Sequence, residues 1–321
     1  MHPGDSLAYH LLEMRLDFDA PTRFYRFPGF VLHSVLGRKL RQFACALKRR
    51  DCDACPLLNH CAYAFFFNTP NSSCPGVLPG RDKLPRPWLL QIGPAPDPDQ
   101  PLKRLDLRLV LLGPAVNSAH LLLLALQEAG RDGVLTARVP FQVSEVRLNR
   151  ETWSGSFSAE ADPRVQGFCW QAEQAGEASA GKISLELLTP LRLKICGRYR
   201  DSFSAADLFG AAAERLRLLV NIYGRPKKAG EDGRPALPGG LVIEQKLRWV
   251  DFNRYSGRQR QAMKLGGVIG SIDLAGGFDR YALSLLQGVA DLGLGKGTSF
   301  GLGQLELRER APKLQNKNKE N

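Results

Sequence analysis

One order of elements occurs twice along this chain, and it limits the fold more than any single motif. In the first half Leu12, Met14, Leu16 and Phe18 alternate with Glu13, Arg15 and Asp17, the period of a half-buried strand. From Phe30 the period lengthens, and Leu32, Leu36, Leu40, Phe43 and Leu47 form one helical stripe. Strands are expected at 88–92 and 105–112, a helix at 118–129 closed by Gly130, and a long strand at 134–146. After a hairpin expected within 151–173, Ile183, Leu185 and Leu187 lead through Thr189 and Pro190 into Leu191, Leu193 and Ile195. Ser204 with Asp207 three residues on reads as a capping box, opening a helix that carries Leu208, Leu216, Leu219 and Ile222 and stops at Gly224. Strands at 241–250 and 266–274, a helix at 278–289 and a last strand at 304–307 complete the pattern. Each half reads β-α-β-β-α-β, the ferredoxin-like order. The expected fold class is α+β, with two tandem ferredoxin-like (RRM-like) domains. They span 1–148, with a cysteine-rich insert at 45–85, and 149–310, followed by a polar, disordered tail at 311–321.

Between the last helix and the last strand lies GVADLGLGKGTSFGLGQLEL, residues 288–307, where Gly293, Gly295, Gly297, Gly301 and Gly303 flank Lys296, Thr298 and Ser299. Glycines at this density let backbone amides approach a ligand, and a lysine with two hydroxyls among them suits a phosphate. It is not a nucleotide loop of known pattern. GxxxxGK[ST] fails because Gly297 follows Lys296, and a dinucleotide GxGxxG opens a helix, whereas this stretch runs from a helix into a strand. The net charge of +12 calls for an acidic partner, nucleic acid before membrane. The aromatic signature of an RNA-recognition motif is missing from the expected strands, so binding leans on loops and basic helices. The apolar run at 121–126 is too short to span a bilayer, and the first residues lack a signal peptide, so a cytoplasmic protein is expected.

The seven cysteines are odd in number and mostly clustered, which is not a secreted disulfide framework. Cys45, Cys52, Cys55 and Cys61 have the spacing C-x6-C-x2-C-x5-C, which suits four thiolates around a structural zinc. Lys48, Arg49 and Arg50 favour thiolates, His60 could replace one of them, and an iron–sulfur cluster needs the same four ligands.

The duplicated order, the terminal GLGKGTSFGLG, the run Arg254-Tyr255-Ser256-Gly257-Arg258-Gln259 and the run from Met263 to Gly270 together resemble the CRISPR-associated RAMP endoribonucleases that process precursor CRISPR transcripts. The resemblance is strongest from Leu187 to Leu307 and implies a basic cleft or face for the repeat RNA, with the glycine-rich loop on its backbone. Some members also carry a similar cysteine cluster. Metal-free RNA cleavage drives a 2′-hydroxyl at the adjacent phosphorus. A base takes its proton, an acid protonates the departing 5′-oxygen, and cations steady the phosphorane. Of the five histidines, His2, His10, His60 and His120 have terminal, strand-start, metal-segment and helix-capping readings. His33 lies in Phe30-Val31-Leu32-His33, which matches the aromatic-x-Leu-His run that carries the catalytic histidine in one branch of the resembled enzymes. Tyr25 is the candidate hydroxyl donor and Arg26 the phosphate clamp, with Arg38 assisting and Arg41 as counter-charge. RNA contacts are assigned to Lys296, Thr298 and Ser299, to Arg254, Arg258, Arg260 and Lys264, and to Arg192 and Lys194 with their neighbours Arg198 and Arg200. The expected product carries a 2′,3′-cyclic phosphate and a 5′-hydroxyl, and the protein could stay on the guide RNA's 3′ hairpin. The alternative is a non-catalytic RNA-binding subunit of an effector complex.

Overall fold

The structure, a computed structural model, describes residues 2–48, 51–71, 82–94, 97, 99–153, 167–174, 176–177, 179–227, 236, 239–256 and 261–309; the side chains of 253–256, 261–264 and 309 fall outside that description. The first half holds β1 (Ser6–Thr22), α1 (Pro28–Ala44), β2 (Trp88–Gln91), β3 (Leu102–Leu112), α2 (Ala119–Asp132), β4 (Phe141–Leu148), β5 (Glu151–Thr152) and β6 (Phe168–Gln171). Its antiparallel sheet runs β2-β3-β1-β4-β5, with β6 also on β1. The second half holds β7 (Ser179–Leu191), the small pair β8 (Lys194–Ile195) and β9 (Arg198–Tyr199), α3 (Ala205–Tyr223), β10 (Val242–Ser256), β11 (Gln261–Phe278), α4 (Arg280–Leu292) and β12 (Leu305–Glu309). Its sheet runs β10-β11-β7-β12. Both halves therefore place the strand before the first helix in mid-sheet, as the ferredoxin-like fold requires.

The alternation in β1 explains how the halves meet. Leu12, Met14, Leu16 and Phe18 share a core with Leu36 and Leu40 of α1 and Leu122 and Leu126 of α2. The other face begins apolar, and Leu7, Tyr9 and Leu11 join Val110 and Leu112 in a core with Val220 of α3 and Leu285 and Leu292 of α4. At Glu13 this face turns charged, so the second half covers only one end of the first sheet. Each fully buried leucine contributes roughly 1.5–3 kcal/mol relative to leaving it in water, which makes the shared core a substantial joint.

Local chemistry sets the element ends. The capping box forms as expected: Ser204 Oγ accepts from Asp207 N at 3.1 Å and Asp207 Oδ2 from Ser204 N at 2.9 Å. The strand expected at 134–146 starts only at Phe141, because Pro140 offers no N–H to a ladder and Val134 pairs instead with Val139 across a tight turn. The stripe ending at Leu47 overruns the helix, which stops at Ala44 where Cys45 turns extended. The expected hairpin within 151–173 is replaced: β5 pairs with β4 and β6 with β1, while 154–166 lie outside the described residues. The strand expected to run on to Ile195 breaks after Leu191, and Cys196 and Gly197, at φ 47° and 82°, turn β8 back onto β9. The tail at 311–321 also lies outside the described residues. Among the described residues no helix is long and apolar enough to cross a membrane.

Candidate nucleic-acid interface and active site

The glycine-rich loop leaves α4 after Leu292, makes a short 3₁₀ turn at Thr298–Phe300 and enters β12. Leu294 N donates to Gly303 O at 2.8 Å, closing its base, and Gly303 N donates to Pro190 O at 3.0 Å. Glycine is required at 303, where φ is +71° and a Cβ would lie 1.9 Å from Leu294 O. Arg215 of α3 braces the loop from inside. It donates to Gly293 O at 2.8 Å, Leu292 O at 3.1 Å and Thr298 Oγ1 at 3.0 Å. A guanidinium on the final carbonyls of α4 suits the negative end of that helix. Burial lowers its pKa to about 10, so it keeps its charge at neutral pH.

On its other side the loop rests on α1. Phe300 places its ring 4.1 Å from the imidazole of His33, which also stacks on Trp88 at 5.5 Å and meets Phe67 edge-on at 5.1 Å. Trp88 is fixed by donating Nε1–H to Phe66 O at 2.9 Å. Arg86, just before β2, donates to Ser299 Oγ at 3.0 Å and lies over the Phe300 ring at 5.5 Å. A histidine near the start of the chain and a loop near its end therefore share one aromatic site with a guanidinium. His33 is 7 % exposed, and it is the ring on which both halves converge.

The other expected site residues divide. Thr298 and Ser299 turn their hydroxyls inward, to Arg215 and Arg86, and Ser299 is 5 % exposed. They brace the loop from inside, while Lys296 is exposed on it. The space beside Gly37, four residues on from His33, is filled by the ring of Phe67. Arg41 lies 5.5 Å over Tyr63, which stacks on Phe67, so it supports the His33 cage from one layer out. Tyr25 is 80 % exposed and borders a cavity of ≈ 820 Å³ with Arg26, Val31, Ser34 and Thr136. His33 does not line that cavity, so Tyr25 and Arg26 are not part of the cage. Arg38 is exposed toward Asp132, whose carboxyl is held low by its hydrogen bond to Lys39 with Arg38 adding charge; five residues from His33 turn it to another side of α1. Arg192 is 8 % exposed with its guanidinium 4.5 Å over Tyr199, and Lys194 is exposed beside it. Arg254 and Lys264 lie near the tip of the β10–β11 hairpin with side chains outside the description, and Arg258 and Arg260 lie outside the described residues.

The remaining histidines are structural or peripheral. His10 Nδ1 lies 2.9 Å from Asn149 Nδ2, and burial lowers its pKa; His60 is exposed in a short 3₁₀ turn. Cys45, Cys52, Cys55 and Cys61 are all half-buried. Cys55 N donates to Cys52 O at 3.2 Å, and Cys61 Sγ reaches Ala44 O at 3.8 Å, which brings it back to the end of α1. Among the described residues no three His, Cys, Asp or Glu side chains stand together as a metal-ligand set.

Arg86, Arg215 and Phe300 were not singled out from sequence. The only local signal was the Arg86-Pro87-Trp88 junction at a strand start; the rest depends on contacts across more than seventy residues.

Residues 185–305 match the family model of the CRISPR-associated endoribonuclease Cas6, and residues 7–165 match a model described as an N-terminal domain. No curated protein sequence matches the chain. Among solved structures the chain is similar to Thermus thermophilus Cas6, with 14 % identity, a TM-score of 0.51, and 94 % of this chain and 99 % of that one covered. It is also similar to the product complex of that Cas6, at 16 % identity and a TM-score of 0.53, covering 95 % and 100 %. A partial Cas6-RT-Cas1–Cas2 complex is similar at 12 % identity and a TM-score of 0.52, over 95 % of this chain and 47 % of that one. At these identities the structural likeness is one of fold, and it agrees with the two-sheet topology described above. The match to the Cas6 endoribonuclease model is thus confined to residues 185–305, while the likeness in fold to Cas6 structures extends over nearly the whole chain.

Proposed function

We propose that the protein cuts precursor CRISPR RNA within the repeat without a catalytic metal. The RNA's own 2′-oxygen attacks the adjacent phosphorus, the bond to the 5′-oxygen breaks, and a 2′,3′-cyclic phosphate and a 5′-hydroxyl remain. One proton leaves the 2′-hydroxyl and one reaches the departing oxygen, and the His33 imidazole carries one of these transfers. Lys296 and Arg86 supply positive charge for the crowded phosphorane. The observation that carries this reading is the 4.1 Å contact between His33 and Phe300, which joins a proton carrier to the basic glycine loop. After cleavage the protein stays on the 3′ hairpin of its product. The test is repeat RNA incubated in EDTA beside a copy with one 2′-deoxy at the scissile nucleotide. Cleavage of the first and survival of the second are expected. If EDTA stops the reaction or the deoxy copy is cut, the mechanism is wrong.

The 7 % exposure of His33 favours a second reading, a non-catalytic RNA-binding subunit, which the same assay detects as binding without cleavage. We also infer a structural zinc on Cys45, Cys52, Cys55 and Cys61, supported by ligand type, spacing and the return of Cys61 to the end of α1. One zinc per natively purified chain is expected by elemental analysis, and a folded protein without metal would refute it.

A further inference from the structure

We infer that the β8–β9 hairpin is a stacking platform for an unpaired nucleotide of the RNA, with Tyr199 receiving the base and Lys194, Arg198 and Arg200 its flanking phosphates. The inference rests on the RNA-processing role proposed above and names a site beside the cleavage centre. The hairpin pairs only Lys194 with Tyr199 and Ile195 with Arg198, so it contributes little to the main sheets. Tyr199 is 43 % exposed, with Arg192 stacked 4.5 Å from its ring centre. A guanidinium on one face fixes the ring and leaves the other for a base, which is how single-stranded nucleic acid is held without sequence readout.

The charges favour this surface over the more obvious one. On the open face of the first sheet the arginines are matched to carboxylates: Arg15 to Asp106 at 2.8 Å and to Glu145, Arg108 to Glu13 at 2.7 Å, and Arg104 to Asp17 at 3.1 Å. Lys194, Arg198 and Arg200 are all exposed, and no ion pair joins them to a carboxylate among the described residues. Asp201, the nearest carboxylate in sequence, accepts from Ser202 Oγ at 3.4 Å. Arg192 is 8 % exposed, and its Nε has no hydrogen-bond partner among the described residues. Position completes the case. Arg192 O accepts from Lys296 N at 3.0 Å, so the platform abuts the loop whose Phe300 touches His33. RNA held at Lys296 therefore lies beside the residue that stacks on Tyr199.

The test compares the parent, Tyr199→Ala, Tyr199→Trp and the double variant Arg198→Gln/Arg200→Gln, all full length, by fluorescence anisotropy on a labelled single-stranded repeat RNA. Tyr199→Ala is expected to weaken binding by about 5- to 150-fold, the effect of removing one base–aromatic stack, with an unchanged salt slope and melting temperature. Tyr199→Trp restores the affinity. The double variant lowers the slope of log K against log salt by about 1.4, the share of two phosphate contacts on a single strand. If Tyr199→Ala binds like the parent while the parent binds and cuts repeat RNA, the platform is wrong and the cleavage reading stands. If the parent binds no repeat RNA, both fall. A loss in Tyr199→Ala that comes with a lowered melting temperature and no rescue by Trp also overturns the platform.

Discussion

His33→Ala is expected to cleave repeat RNA about 10²–10⁴ times more slowly than the parent, the usual contribution of a positioned proton carrier, while RNA affinity stays near that of the parent. The prediction follows from where the ring sits. Its neighbours Trp88, Phe67 and Phe300 offer no group that exchanges a proton near neutral pH, so nothing in the cage substitutes for an imidazole. Alanine also leaves a hole among three rings, and truncating a buried aromatic typically costs several kcal/mol of stability. His33→Phe separates the two effects, since it refills the cage and cannot carry a proton. Single-turnover rates and melting curves of both variants decide the matter. A His33→Phe protein that cuts at the parental rate removes His33 from the mechanism.

Gly29→Ala is expected to reduce cleavage by about 10²-fold, the scale of an ångström-sized misplacement, with a loss of only about 1–3 kcal/mol in stability. Gly29 stands in the first turn of α1, where an added Cβ would lie 2.0 Å from Phe300 O and 2.9 Å from Phe27 Cε1. Neither the loop carbonyl nor the phenyl ring can yield without moving, so the loop lifts from α1 and takes Phe300 off His33. Gly210→Ala in α3 is the control, because its Cβ would meet nothing within 4 Å and a helical Gly-to-Ala change is neutral to stabilising. Parental activity in Gly29→Ala would show that chemistry does not need the loop docked on the first helix.

Much of the fold was legible because it is written at short range. The alternation from Leu12 to Phe18, the Ser204–Asp207 box and the stripe of α1 each report a local period or cap, and each is found in the structure. Failures lie where a distant contact decides. Nothing near Thr298 in the sequence announces that Arg215 will claim its hydroxyl, or that Arg86 will claim that of Ser299. Tyr25 and Arg38 look adjacent to His33 along the chain, but Tyr25 stands in the loop before α1 against a cavity that His33 does not line, and Arg38, five residues on, projects from another side of the helix. The charged end of β1 was readable as a strand face, and only the pairing of Arg15 and Arg108 with carboxylates showed that this face is electrostatically spent.

Among the described residues the second sheet ends in β10 on one side and β12 on the other. Both carry exposed charges of both signs, Glu244, Lys246 and Arg248 on one and Glu306 and Arg308 on the other. A further strand laid against either margin would have to desolvate those side chains, so copies of the molecule have no cheap way to zip together. The side chains that make this chain basic thus also disfavour strand-to-strand pairing between its own copies.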